Sequence, residues 1–318
     1  LLALVTGPHG FIHPGLIFKT LATKLGAGSD TLSQDAIIVW NLRLPRILGG
    51  LFVGASLAVS GAVIQTLFRN PLAEPFLIGI SSGAAFGAVL SITLGFSFAG
   101  WSGNTTTLSS FAGGVGVAFL VYNLSRRGRR IAMATLLLTG IAIGGVLQSI
   151  TTFLLLNYEL QQIRSLMGWM MGSLTFVGWP QLGILAPYSV LGISMAWIYF
   201  RELNVLAVGE QQAQHMGVQL ERTRLFLLTI ATLLASVTVA LCGIIAFIGL
   251  MVPHMVRAII GANHKYLIPG SALGGGILLI VADLAARVIR PGQEIPIGII
   301  TSILGGLFFV ALVQAKRF

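Results

Sequence analysis

Arg43-Leu-Pro-Arg46, the run 47–68, and Arg69-Asn-Pro-Leu-Ala-Glu-Pro75 together decide how this chain folds. The 22 residues 47–68 carry no ionisable side chain. A helix needs ~20 residues to cross a hydrocarbon core of ~30 Å, so this segment spans a membrane. A polar, proline-containing signature sits at each rim. Residues that polar and rigid at both ends of one span point to docking or gating surfaces beyond simple anchoring.

Composition extends this reading to the whole chain. Of the 318 residues, 55% are hydrophobic and only 9% charged, and the mean hydropathy is +0.91, against ~25% charged in a soluble domain. A soluble chain of this length would divide into about two domains. Here apolar runs continue from end to end, so residues 1–318 read as a single transmembrane domain. Cys242 is the one cysteine and allows no internal disulfide. The net charge of +10 lies in short loops between spans, which is a topological pattern and argues against nucleic-acid binding.

Nine spans are expected, at 47–68, 76–96, 108–124, 131–156, 181–200, 225–242, 244–261, 268–286 and 297–314. Residues 1–6 read as the end of a truncated first helix, which brings the expected total to ten. Residues 7–42 read as a long mixed connection. The Gly- and Trp-rich stretch 167–179 reads as a short surface helix or a re-entrant segment. Counting Lys and Arg in alternate loops puts twelve on one side, led by Ser125-Arg-Arg-Gly-Arg-Arg130, and seven on the other. The richer side is cytoplasmic. Arg43, Arg46 and Arg287 then face outward, against the bias. Glycines at i, i+4 (Gly50/Gly54, Gly79/Gly83/Gly87, Gly140/Gly144, Gly270/Gly274) fit close helix packing. The alternative for the Gly79–Gly87 stripe is the wall of a passage.

Several chemistries are excluded. The sequence holds no Gly-x-x-x-x-Gly-Lys-Ser/Thr loop, so the chain does not hydrolyse ATP itself. It holds no His-Glu-x-x-His or paired-Cys motif, hence no recognisable zinc spacing. No catalytic or metal site is expected. His254, beside Pro253, reads as structural at a helix break, and the eight Met as packing. Asp283 inside a span is costly and would mark function. A local ion pair with Arg287, four residues on, explains it equally well.

Residues 201–224 form an unusually long cytoplasmic segment. Leu206, Ala213, Met216 and Leu220 recur at helical spacing, with Glu210 and several Gln between them. That polar face lacks the Lys and Arg that lipid adhesion prefers, so docking against a cytoplasmic protein is the expectation.

Arg43-Leu-Pro-Arg46, Gly54-Ala-Ser-Leu-Ala-Val-Ser-Gly61, Gln65…Arg69-Asn-Pro-Leu-Ala-Glu-Pro75 and Leu77-Ile-Gly-Ile-Ser-Ser-Gly-Ala84 resemble the FecCD family of ABC-transporter permeases. So do Gly243-Ile-Ile-Ala-Phe-Ile-Gly-Leu-Met-Val-Pro-His-Met-Val-Arg257, Ala282-Asp283…Ala286-Arg287 and Glu294-Ile-Pro-Ile-Gly-Ile-Ile-Thr301. The motifs run in order through nearly the whole chain.

The resemblance implies an all-α polytopic permease of ten transmembrane helices in the bacterial inner membrane. It implies a homodimer with two ATP-binding-cassette subunits inside and a periplasmic or lipid-anchored substrate-binding protein outside. ATP and Mg would be bound on those partner subunits, with no cofactor on this chain. The cargo is a metal chelate: a ferric siderophore first, with haem (heme) or cobalamin as alternatives. The matched positions imply roles. Arg43, Arg46 and Arg287 dock the binding protein. Asn70, Leu72, Met133 and Ala134 form the cytoplasmic gate. Leu206, Gly209, Glu210, Ala213, Met216 and Gly217 couple to the ATPase. A membrane enzyme built on Asp283 or His254 would need a second catalytic group, and an ion-coupled transporter would need several intramembrane acids. The sequence supplies neither.

Overall fold

The computed structural model describes residues 2–5, 14–23, 34–95, 105–127, 130–156, 158–289 and 294–315. The helices run in chain order: α1 Leu2–Val5, α2 Pro14–Ala22, α3 Gln34–Ile38, α4 Leu44–Phe68, α5 Ile80–Thr93, α6 Thr105–Ser125, α7 Met133–Leu155, α8 Leu160–Met170, α9 Trp179–Ile198, α10 Phe200–Val208, α11 Glu210–His215, α12 Leu220–Cys242, α13 Ile248–Ile260, α14 His264–Val288 and α15 Ile297–Ala315. A two-residue antiparallel ladder, β1 Arg126–Arg127 with β2 Arg130–Ile131, closes the basic loop between α6 and α7.

Each expected span falls on a helix. Seven helices are long and apolar enough to cross a membrane among the described residues, while Ile80–Thr93 and Ile248–Ile260 are shorter. At 1.5 Å per residue those two reach only ~20 Å, less than the ~30 Å core. Backbone chemistry starts them late. A 3-10 turn over Pro75–Ile78 and left-handed Gly79 (φ +86°) precede α5. Left-handed Phe247 (φ +69°) precedes α13. Of the expected first-helix fragment only α1 is described, and Leu1 and Thr6 lie outside the described residues. So do Lys24, Arg129, Arg290, Lys316, Arg317, His9 and His13.

Residues 14–22 and 34–42 are helical where a connection was expected. Pro45 has no N–H for the carbonyl four residues back, and its ring crowds that carbonyl. The chain widens into a π turn, Val39–Arg43, just before it, and the Leu44 N–H reaches back to the Val39 carbonyl. Helix therefore runs unbroken from Gln34 to Phe68.

Residues 171–178, after α8, do not span. They wedge between the ends of α12 and α15: the Ser173 N–H donates to the Cys242 carbonyl (2.7 Å), and the Ile297 and Gly298 N–H groups donate to Gly172 and Met171 (both 3.0 Å). Leu174 and Val177 are buried in the apolar cluster that holds Val53, Leu57 and Ile245.

The fold centres on α4, which packs against α9, α12, α13 and α14. Its glycines meet backbone directly. A Cβ on Gly54 would lie 2.1 Å from the Gly275 carbonyl oxygen, and one on Gly61 1.8 Å from that of Gly249. Gly83 and Gly87 press α5 onto Gly113 and Ser109 of α6 in the same way, so they are packing positions and do not wall a passage. The pairs Arg46–Asp283, Gly54–Gly275 and Thr66–His264 step in opposite senses along α4 and α14, an antiparallel pair in fixed register.

Gly61→Ala is expected to force α4 and α13 apart and to cost about 3 kcal/mol or more, the upper range for overpacking. Gly116→Ala, where an added Cβ meets nothing within 4 Å, should stay within ~0.5 kcal/mol. Thermal melts of the two variants in detergent check the difference.

Candidate functional site

The α4–α14 register gathers polar groups at both ends of the helix pair. At the end of α4 that carries Arg43 and Arg46, Asp283 is the hub. Its Oδ1 accepts from Arg46 Nε (3.0 Å) and Nη2 (2.8 Å), and its Oδ2 pairs with Arg287 Nε (3.1 Å). Arg46 Nη1 reaches Glu294 Oε1 (2.7 Å), and the Thr175 hydroxyl donates to Glu294 Oε2 (2.6 Å). Burial pushes the Glu294 carboxyl up, but the Arg46 and Thr175 hydrogen bonds and the two guanidinium charges outweigh it and hold it below its usual range.

The Asp283–Arg287 pair expected from spacing is therefore real but incomplete, because Arg46 shares the same carboxylate. Arg43 and Arg287 are each only 4% exposed. Arg43 donates to the Leu4 carbonyl. Arg287 Nη2 has no acceptor among the described residues. All three arginines and Glu294 line a cavity of about 350 Å3 together with Asn41, Thr175, Phe176 and Gln181.

At the other end α4 stops on Arg69, a left-handed residue (φ +48°) whose N–H bonds back to Thr66 and Gln65. Asn70 then closes a turn by accepting the Leu72 N–H on its side-chain oxygen (2.9 Å). Asn and Asp favour such turns because the side chain mimics the backbone. Leu72 is 39% exposed. Met133 packs against the apolar cluster that contains Ala73, so both expected gate segments border one cluster, while Ala134 is exposed.

The expected coupling segment is two helices, α10 and α11, broken at Gly209 (φ 160°, ψ 160°). Leu206 and Ala213 are buried as the periodicity requires, but Met216 is 69% exposed. The break and the left-handed Gly217 (φ +80°) set Met216 apart from the face that buries Leu206 and Ala213. Met216 and Gly217 instead border a cavity of about 560 Å3 with Tyr199, Glu202, Gln219 and Arg222. Glu210 ties the segment to its neighbours, pairing with Arg224 Nη2 of α12 (2.5 Å) and Arg69 Nη2 (3.3 Å).

Sequence reasoning missed a second group of residues here. Gln65 donates to the Gly249 and Leu250 carbonyls and accepts from Arg257 (3.2 and 3.3 Å). Asn204 bonds the backbone and ring of His264, whose other ring nitrogen meets the Thr66 hydroxyl. Glu74 accepts the Phe247 N–H (2.7 Å), which holds that left-handed residue at the head of α13. The signal was present: a polar residue in an apolar run has to find a partner. The identity of each partner was not. His254 stands edge-on to Phe308 at 5.8 Å. The described residues contain no group of His, Cys, Asp or Glu able to hold a metal ion.

Among the described residues, seven helices long and apolar enough to cross a membrane, with ion pairs gathered at the two ends of the α4–α14 pair, define a polytopic membrane protein. The family model described as the FecCD transport family matches residues 1–315, and the chain belongs to that family. It is 43% identical over 285 residues to the cobalamin import system permease protein BtuC of Halobacterium salinarum, covering 88% of this chain and 74% of that protein. It is 40% identical to the hemin transport system permease protein HmuU of Yersinia pestis (91% and 87% covered). It is 37% identical to the Fe(3+) dicitrate transport system permease protein FecD of Escherichia coli (96% and 94% covered). A solved structure described as an inward-facing conformation of a metal-chelate type ABC transporter superposes with a TM-score of 0.82 at 32% identity, covering 94% of this chain and 96% of that one. The chain is thus an ABC-transporter permease and a multi-pass protein of the inner membrane.

Burial raises the Glu74 carboxyl from 4.5 to about 7, with the Phe247 hydrogen bond opposing part of the rise. A carboxyl raised on folding contributes stability that is full below the unfolded value and is lost as pH climbs through the folded one. The loss therefore falls between about pH 4.5 and pH 7. Glu74→Gln keeps an acceptor for Phe247 and should melt higher than wild type at pH 8 by up to ~3 kcal/mol. The two should converge near pH 5, as melts across this range in detergent will test.

Proposed function

We propose that the chain is the membrane-spanning subunit of an ATP-driven importer that moves a metal chelate inward, with a ferric siderophore as the first cargo. The observation that carries this reading is the separation of two built ends on one helix pair. One end holds three guanidiniums and two carboxylates around a cavity, an excess of positive charge suited to an acidic protein surface. The other holds the Asn70–Leu72 turn, with Arg69 just before it linked to the α10–α11 segment through Glu210. A second copy of the chain, two ATPase subunits and a substrate-binding protein complete the assembly in this reading. Cobalamin is the second reading for cargo, favoured by the 43% identity to a cobalamin import permease, and haem the third.

On this reading Asn70, Leu72, Met133 and Ala134 seal the pathway by excluding water with small and apolar groups, without holding a passing chelate tightly. Arg43, Arg46 and Arg287 meet carboxylates of the binding protein, where the planar guanidinium suits two-point contact. Glu210, Met216 and Gly217 lie in the surface offered to the ATPase. The test of the whole reading is reconstitution of the chain with its ATPase subunits and binding protein in vesicles. ATP-dependent uptake of a ferric siderophore, haemin and cobalamin, compared side by side, identifies the cargo. No ATP-dependent uptake of any of them sinks it.

Two variants test its ends. Arg46→Glu would set a third carboxylate against Asp283 and Glu294, so Arg43→Gln is the cleaner probe of docking. It should slow association with the binding protein by roughly threefold to tenfold at low salt and much less at 0.5 M, where the Debye length is only a few Å. An association rate that ignores ionic strength in both proteins would remove the docking role. Met216→Glu, on an exposed side chain, should leave the fold intact and lower uptake per ATP hydrolysed about tenfold. Normal uptake and hydrolysis in an assembled complex would take Met216 out of the contact.

A further inference from the structure

Asn204, on α10, is held in one orientation. Its amide nitrogen donates to Asn263 Oδ1 (3.0 Å), an oxygen that also accepts the Lys265 N–H (3.0 Å). The Asn204 oxygen must then face His264, where it accepts the backbone N–H (2.8 Å) and lies 2.8 Å from ring Nδ1. An amide oxygen only accepts, so Nδ1 carries the ring proton. In the neutral ring Nε2 is then a bare acceptor, and the Thr66 hydroxyl stands 2.7 Å from it.

That hydroxyl has one proton and two acceptors. It also lies 2.8 Å from the Ala62 carbonyl, one turn back in α4. The proton can serve His264, joining α14 to α4, or Ala62, closing a back-bond inside α4 of the kind that bends helices. His264 is 2% and Thr66 5% exposed, so little water competes for either group. The choice is discrete, and its consequences lie next door. The Thr66 carbonyl accepts the Arg69 N–H, and the Gln65 carbonyl accepts the Asn70 N–H (3.1 and 3.0 Å). Those two bonds fix the turn that carries Leu72.

We propose that His264 is a positioning residue that relays displacement of α10 to the Asn70–Leu72 turn by switching the Thr66 proton between His264 and the Ala62 carbonyl. The relay rests on the reading that α10–α11 meets an ATPase subunit. Movement of α10 carries Asn204 with it, tilts the ring it holds at Nδ1, and withdraws Nε2 from Thr66. The hydroxyl then turns to Ala62 and the last turn of α4 changes its bend. A two-state element that one site biases and another reads is the physical requirement for such coupling.

The test uses the assembled importer with Leu72→Cys in a Cys242→Ser background. Nucleotide-dependent labelling by a membrane-impermeant maleimide is measured alongside ATP hydrolysis and uptake. Asn204→Ala, Thr66→Val and His264→Asn should each reduce the nucleotide-induced change in labelling at least fivefold while hydrolysis stays within twofold. Asn204 and Thr66 bond His264 at its two different ring nitrogens. The Asn204→Ala/Thr66→Val double variant should therefore be no worse than the worse single. Losses that multiply would mean two separate structural defects and would overturn the relay, as would an unchanged response in all three variants. Should His264→Asn fail to assemble, His264→Gln, which keeps an acceptor toward Thr66 and loses the ring donor, takes its place with the same expectation. Normal uptake with labelling blind to nucleotide in the parent protein overturns the relay and leaves the transport reading standing. Labelling that responds to nucleotide with no uptake does the reverse.

Discussion

Backbone-to-backbone contact along α4 is the constraint from which the rest follows. Lipid tails offer helices no hydrophobic reason to associate, so close van der Waals approach has to do it. At Gly54 and Gly61 the carbonyls of Gly275 and Gly249 occupy the space a Cβ would fill. These contacts admit one register, and the α4–α14 register sets which polar residues meet at either end. A slip of one residue would separate Arg46 from Asp283 and Thr66 from His264 together.

Both ends are held more firmly than surface pairs would allow. Asp283 is 2% exposed and shared by two guanidiniums, so loss of either arginine leaves a charge buried and underpaired, a change that typically costs ~3–5 kcal/mol. By contrast the Arg69–Glu210 contact, with both side chains about half exposed, contributes at most ~1 kcal/mol. The firm connection between α10–α11 and the bundle is therefore made by the buried groups: Arg224 on Glu210, Leu206 and Ala213 in the core, and Asn204 on His264. Rigid joints beside an exposed turn are what transmission of a small displacement needs, because packed elements shift between discrete arrangements.

The sequence carried the class, the spans and most of the motif positions. An apolar run with no ionisable group has one stable environment, and charge bias orients it, so polytopic architecture was legible residue by residue. The glycine spacing at Gly54, Gly83, Gly87 and Gly140 was legible as close packing for the same reason. What failed failed locally. The π turn before Pro45 extended helix back to Gln34, and the left-handed residues Gly79 and Phe247 shortened α5 and α13. A period of 3.6 residues cannot report a single residue that leaves the helical region.

Sequence by itself determined what each residue needs: apolar segments must be in lipid or in a core, and Asp283, Arg46, Glu74 and His264 must have partners if buried. Tertiary structure alone decided who supplies them. Arg46 reaches Asp283 across 237 residues, Thr66 reaches His264 across 198, and Glu74 reaches Phe247 across 173. Hydrogen bonds and ion pairs act over about 3 Å. Distance along the chain says nothing about such proximity until helix packing has brought the two segments together.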